Sequence, residues 1–322
     1  MKELIKLLIG YDGSVCANAA LDDLRRAGLP RKAEAVVLTV SEFWLPHASE
    51  TSIAQTTPSG LAPMGLSQTK RSAASSAQPV TEARALAQEG KRLLQAHFPG
   101  WKIKAEESSG SPAHEILKKA EEWAPDLVAV GSQGHSRLGR FLLGSVSQKI
   151  VNEAHCSVRV ARGTAWKDGS PVRILVGLDG SWASSAAVQS ISMRMWPPAS
   201  EVRLITVVDP PTAGVGSPRH GSARKDISGS VAGAPVWVQE FVETATKKLR
   251  AAELVVSSKI EEGDPKQLIV ANAEEWGAEC IFIGASCRRQ FEQFLLGSVA
   301  TAVVSRAHCS VEVVRDRADL IV

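Results

Sequence analysis

Short, almost uninterrupted apolar runs recur along this chain, separated by stretches with helical spacing of apolar residues. The runs Lys6 to Tyr11, Ala35 to Val40, Leu127 to Val130 and Cys156 to Val160 are rich in Val, Leu and Ile. Such runs predict strands buried on both faces, as in parallel sheets. After the first run, Ser14 stands at a helix cap, and Ala17, Ala20, Leu21 and Leu24 follow the i, i+3, i+4, i+7 spacing of one helix face. Gly28 and Pro30 end that helix. Residues 45–80 are rich in Ser, Ala, Thr and Pro without sustained periodicity, which predicts a long loop. A helix over about Thr81 to His97 and a short strand near Ile103 to Glu107 come next. Ser111 and Pro112 then open a helix whose apolar positions are Ile116, Leu117, Ala120 and Trp123. Another helix is expected from Val146 to Ala154.

This order is repeated. Leu8-Ile9-Gly10-Tyr11-Asp12-Gly13-Ser14 returns as Leu175-Val176-Gly177-Leu178-Asp179-Gly180-Ser181, 167 residues on. Phe141-Leu142-Leu143-Gly144-Ser145-Val146 returns as Phe294-Leu295-Leu296-Gly297-Ser298-Val299, 153 residues on. The shorter second offset places a longer insertion in the first copy, between about residues 42 and 100. Copies of this size are domains and not solenoid units. Residues 1–163 and 171–322 are therefore expected as two domains joined by a Gly/Ser/Pro-containing linker, and the second carries its own loop near 209–235. Alternating strands and helices predict an α/β fold, with a doubly wound parallel sheet in each half.

Composition narrows the function. Among 322 residues the net charge is +3, with no basic stripe, which speaks against nucleic acid as a partner. No run approaches the length of a membrane span, and Asp12 follows the first apolar run at once, so a cytoplasmic protein without a membrane partner is expected. Five scattered cysteines without a C-x-x-C argue against a disulfide framework or a zinc site. The pairs His155-Cys156 and His308-Cys309 read as structural, since strand neighbours point to opposite faces.

The candidate chemistry lies where the fourth strand ends. Gly131-Ser132-Gln133-Gly134 is followed by nine residues and then Gly144-Ser145, at the start of a helix. Glycines allow close backbone approach, and the free amides of a helix start are donors for phosphate oxygens. His135 and Arg137 lie between the motif glycines and read mainly as solvated loop side chains. No Walker-type G-x-x-x-x-G-K-[ST], G-x-S-x-G or H-E-x-x-H is present, and no carboxylate base is evident beside the motif.

The Asp-Gly-Ser after the first strand, the G-x2-G-x9-G-[ST] loop and the closing Cys-Ser-Val-x-Val strand together resemble the universal stress protein family, in two tandem copies. The resemblance implies five parallel strands per half and ATP in the copy with the intact motif. It assigns adenine to Asp12 and Val40, ribose and phosphate to Val130, Gly131 and Gly134, and the phosphates to Gly144, Ser145, Val146 and Ser147. Mg or Mn would be held through the phosphates. The second copy keeps Asp179, Val207, Gly284, Gly297 and Ser298, but Cys287 replaces the second motif glycine and Ala300 stands at the place of Ser147. Its neighbours Arg288 and Arg289 offer charge instead, yet a Cβ at that turn obstructs close approach.

The first reading is thus an ATP-binding stress-response or regulatory protein, not primarily an enzyme. The alternatives are an interaction protein of the same fold that binds no nucleotide, or a slow metal-assisted ATPase. An adenylating enzyme of related fold would want S-G-G-x-D-S where Asp12-Gly13-Ser14-Val15 stands. Family members usually dimerise through the last strand, which implies pairing of the two halves inside one chain, with Arg159 and Glu312 at matching positions. Whether two chains associate into a homodimer is left open.

Overall fold

The computed structural model describes residues 4–42, 69–134, 143–162, 169–208, 224–225, 231–232, 236–285 and 296–315. In the first half the elements are β1 (Lys6–Gly10), α1 (Val15–Asp23) with a 3-10 turn at Leu24–Arg26, β2 (Glu34–Ser41), α2 (Thr69–His97), β3 (Lys102–Ser109), α3 (Pro112–Trp123), β4 (Leu127–Gly131), α4 (Ser145–Glu153) and β5 (Ser157–Ala161). The second half runs β6 (Arg173–Gly177), α5 (Trp182–Ser192), β7 (Glu201–Val208), a small antiparallel ribbon β8 (Arg224–Lys225) and β9 (Val231–Ala232), α6 (Val236–Arg250), β10 (Val255–Glu262), α7 (Pro265–Trp276), β11 (Cys280–Gly284), α8 (Ser298–Arg306) and β12 (Ser310–Val314).

Each half contributes five parallel strands, in the orders β3-β2-β1-β4-β5 and β10-β7-β6-β11-β12. The chain leaves β1 on one side through β2 and β3, then crosses back to place β4 on the other side of β1. The carboxyl ends of β1 and β4 therefore flank a topological switch point, where ligands of open α/β sheets sit. The halves join edge to edge: β5 and β12 pair antiparallel, with Val160 opposite Val311, Arg159 opposite Glu312 and Val158 opposite Val313, making one ten-stranded sheet.

The two faces of this sheet are built differently. On the face covered by α3, α4, α7 and α8, one apolar cluster runs through both halves, taking Val128, Ile150 and Val158 from the first and Ile281, Val303 and Val311 from the second. On the opposite face each half keeps its own cluster, around Leu7, Ile9 and Leu94 in one and Ile174, Val188 and Leu249 in the other.

Charge fills the space between those two clusters. Arg159 Nε donates to Asp23 Oδ2 at 2.5 Å, and its Nη1 reaches Glu312 Oε2 at 3.2 Å. Glu312 in turn binds Arg194 through both carboxylate oxygens, Oε2 at 3.0 Å from Nη1. Arg159 and Glu312 are 1% and 0% exposed, so neither charge is relieved by water. Burial works against the Arg159 charge, but Asp23 first, then Cys280 and Glu312, hold its pKa well above the ordinary value. Nearby, Arg26 donates to Glu279 at 2.9 and 2.6 Å, and to the linker carbonyls of Ser170 and Pro171 at 2.6 and 3.0 Å. Opposite charges contributed by different halves thus meet in a dry seam, where each is costly without the other.

Local signals place most element ends within a residue or two of expectation. Ser14 Oγ accepts from the Ala17 amide at 3.1 Å and starts α1. Two elements differ. Helix α2 starts at Thr69 and not near Thr81, so residues 69–80 belong to it and not to the expected loop; Ala73, Ala74, Ala77, Arg71 and Gln78 are good helix formers, while Pro79 in the interior opposes the helix. Strand β3 covers Lys102–Ser109, longer than expected, because its polar residues belong to an outer strand hydrogen-bonded only to β2.

Candidate functional site

A cavity of about 550 Å³ opens at the switch point of the first half. The turn after β1 is fixed by its own side chains: Asp12 Oδ1 accepts from the Ser14 amide at 2.9 Å, while Gly13 takes a left-handed φ of 76°. Behind it, buried Thr39 donates from Oγ1 to the Tyr11 carbonyl at 2.8 Å, tying β2 to this turn. Asp12 Oδ2 faces the motif loop, since a Cβ built on Gly134 would lie 2.9 Å from it. A side chain at 134 therefore has to displace that carboxylate.

The other wall is the start of α4. Gly144 is its N-cap, with φ −66° and ψ 151°, and as a glycine it has no side chain with which to cap the helix. The Gly144 amide donates to the Ser132 carbonyl at 2.8 Å and holds the loop closed across its base. The next amides have no intrahelical acceptor by the geometry of any helix start, and Ser145, Val146 and Ser147 line the cavity. By contrast α1 and α5 are capped by Ser14 and Ser181. A glycine-capped helix start at a cavity offers a partial positive charge and oriented donors to an anion.

The residues singled out in the sequence come together here. Asp12 follows β1, Val40 comes from β2, and Val130, Gly131 and Gly134 come from β4 and its loop, all lining the same cavity as Gly144, Ser145, Val146 and Ser147. Two have evident structural duties as well. The hydroxyl of Ser147 is buried and donates to the Gly131 carbonyl at 2.7 Å, bracing α4 on the end of β4. Its proton points to the backbone, so the amide of Ser147 is its contribution to the cavity. A Cβ on Gly131 would meet the Cys16 carbonyl at 2.8 Å, so this glycine lets α1 lie close on β4. Sequence reasoning missed Tyr11, Thr39, Glu42, Leu86, Ile116 and Gln133, which also line the cavity. Leu86 carried a faint signal, an exposed leucine off the buried stripe of Ala83, Ala87 and Leu94.

The second half repeats the frame with changed furnishings. Asp179 Oδ1 accepts from the Ser181 amide at 3.0 Å. Burial pushes the Asp179 carboxyl up, but the hydrogen bonds of Ser181 outweigh it and hold the pKa below the ordinary value. Gly284 is pressed against α5 so tightly that a Cβ would lie 2.3 Å from the Ala183 carbonyl. Val207 packs against the shared core, and Ala300, buried where Ser147 stands in the first half, carries no hydroxyl to brace β11. Gly297 caps α8 as Gly144 caps α4, with Ser298 the first helical residue. The ring of Trp237 lies where Leu86 lies in the first half, over the glycine of the Asp-Gly turn. His135, Arg137, Cys287, Arg288 and Arg289 fall outside the described residues. Among the described residues no group of three or more His, Cys, Asp or Glu is placed to hold a metal ion, and no helix is long and apolar enough to cross a membrane.

Fold and site define a class: tandem doubly wound halves, each with an Asp-Gly-Ser turn after its first strand and a glycine-capped helix after its fourth. The universal stress protein family model matches residues 5–162 and again 172–315, and the chain belongs to that family. A universal stress protein from Mycolicibacterium smegmatis is 27% identical over 205 residues, 59% of this chain and 62% of that protein. The universal stress protein MJ0531 from Methanocaldococcus jannaschii is 43% identical over 63 residues, 20% of this chain and 37% of that protein. The matched stretches thus span between about a third and two thirds of those relatives. A solved universal stress protein from Archaeoglobus fulgidus shares the fold over 96% of this chain and 98% of its own, with a TM-score of 0.62 at 20% identity.

Proposed function

We propose that this chain is a nucleotide-binding regulatory protein, loaded with ATP in its first half. The observation that carries the reading is the glycine-capped start of α4, opening into a cavity that combines apolar side chains with polar ones such as Asp12, Thr39 and Gln133. An anion fits the amides of Ser145, Val146 and Ser147, and a flat heterocycle fits between Leu38, Val40, Ile116 and Val130, within the size range of small-molecule pockets. Asp12, with its carboxylate held by the turn, accepts a hydrogen bond from an exocyclic amine or a ribose hydroxyl. A divalent ion such as Mg or Mn supplies charge neutralisation through the phosphates when nucleotide is bound. Binding, and not turnover, is the role assigned to the cavity. The second half, with Trp237 over its turn and Ala300 in place of Ser147, is read as a structural partner of the first. Pairing through β5 and β12 is then internal to one chain, and a cytoplasmic setting follows from the ligand.

ATP titration of nucleotide-free protein tests this. Gly134→Ala, whose Cβ intrudes on Asp12, and Asp12→Ala are expected to weaken binding by tenfold or more without unfolding the chain. Wild-type affinity in both variants overturns the site assignment. An absence of binding in the wild type at millimolar ATP leaves the interaction-protein reading in its place.

A further inference from the structure

The C-terminal end of α4, opposite its phosphate-facing start, is held by the other half of the molecule. Arg315 follows β12, and its Nη2 donates to the Val151 carbonyl while Nη1 reaches the Cys156 carbonyl at 3.4 Å. Its own amide donates to Ser157 Oγ at 3.1 Å. Val151 belongs to the last turn of α4, among the carbonyls that a helix leaves unpaired. The arrangement is reciprocal. Arg162 follows β5, and its Nη2 donates at 2.7 Å to the carbonyl of Val304, the matching position in α8, while its amide donates to Ser310 Oγ at 3.0 Å. Arg315 and Arg162 are both buried. Each half thus lends one arginine to the last turn of the other half's glycine-capped helix.

From this geometry we infer that Arg315 is a positioning residue for the nucleotide site of the first half, acting from the second half through α4 and without touching the ligand. This rests on the ATP reading above. A cation at the C-terminal end offsets the negative pole of the helix, so an anion at the other end meets a positive pole that is less opposed. Helix α4 has nine residues, which at about 1.5 Å each is only about 13 Å long, and a buried charge at that distance is poorly screened. The contact also anchors α4 to β12, so the placement of its first turn beside β4 depends on the pairing of the halves. The second half then completes the first site whether or not it holds nucleotide itself.

The test is ATP titration of the full chain carrying Arg315→Met, Arg315→Gln or Arg315→Lys, with Arg162→Met as the matched control. Arg162→Met removes an equivalent buried arginine from an equivalent helix end, but from α8. Affinity is read at the site that Gly134→Ala weakens. Arg315→Met and Arg315→Gln are expected to weaken ATP by about threefold to tenfold, Arg315→Lys to restore most of it, and Arg162→Met to leave it unchanged. Gln retains a donor for the Val151 carbonyl, so it keeps the test in hand if the Met variant does not fold. Equal losses in the Arg315 and Arg162 variants, or no loss in either, overturn the inference and leave the arginines as interface anchors. Wild-type protein that binds no ATP removes the site reading itself, and the inference falls with it.

Discussion

Glu312 ties charges of both halves together in the seam, Arg159 from the first and Arg194 from the second. Its carboxylate is fully buried, sits between Arg159 and Arg194, and contacts both. At an effective dielectric near 20, a pair at this distance attracts by about 5 kcal/mol, most of which desolvation offsets. Removing the carboxylate leaves the desolvation of both guanidinium groups in place. Arg159 keeps Asp23, but Arg194 keeps only the neutral Ala27 carbonyl and Ser190 Oγ as hydrogen-bond acceptors among the described residues. Glu312→Leu is therefore expected to cost about 3–5 kcal/mol, a large part of the roughly 5–15 kcal/mol that stabilises a domain. Glu312→Arg, which adds a third cation, is expected to cost more and to loosen β5 from β12. The double variant Arg194→Met/Glu312→Leu removes both members of one pair and leaves Arg159 with Asp23, so it should be more stable than Glu312→Leu alone. Urea unfolding gives the stabilities, and hydrogen exchange along β5 and β12 locates the loosening. If Glu312→Leu shifts stability by less than about 1 kcal/mol, the value of an exposed pair, or if the double variant is the less stable, the reasoning fails. The same holds if the loss is abolished by salt, since a buried pair is little screened.

Other outcomes follow from single contacts. Gly284→Ala forces a Cβ to within 2.3 Å of the Ala183 backbone and is expected to cost about 1–3 kcal/mol or more. Gly297→Ala meets nothing within 4 Å among the described residues and should cost no more than about 1 kcal/mol, the loss of the glycine N-cap of α8. Burial pushes the Cys309 thiol from its ordinary 9.0 to about 12. It is neutral in the folded chain below that, so the stability present below pH 9 is lost as the pH rises through 12, while the unfolded thiol ionises first. Alkylation of Cys309 at pH 8 should accordingly wait on unfolding, and modification as fast as that of a free thiol would contradict its burial. Ser14→Ala removes the α1 cap and is expected to cost about 1 kcal/mol in thermal unfolding.

The parts of this fold legible in the sequence are those whose signal is local. The uninterrupted runs at Leu7 to Ile9 and Leu127 to Val130 mark strands because both faces of a parallel sheet are buried, and both are near zero exposure. The repeated Asp-Gly-Ser and glycine motifs could be read because a tight turn and a glycine-capped helix start restrict residue type at each step. The rest depends on what the fold brings together. Thr39 lines the cavity through placement by β2, and its neighbours in sequence carry no hint of it; Leu86 on α2 is marked only faintly, by standing off the stripe of Ala83, Ala87 and Leu94. Arg159 and Glu312 stand out as matching positions on alternating strands, but Asp23 and Arg194 join them only through the ends of α1 and α5. Arg162 and Arg315 are lone basic residues just past strand ends, and nothing near them in the chain announces a helix terminus of the other half.

The most direct measurement of the central claim is the adenine nucleotide released per chain when the purified protein is denatured, with Gly134→Ala beside the wild type. The account predicts about one ATP per chain in the wild type and far less in the variant. Two per chain would show the second half to be a working site and the assigned asymmetry wrong. None, with no binding when ATP is added back, would contradict the account.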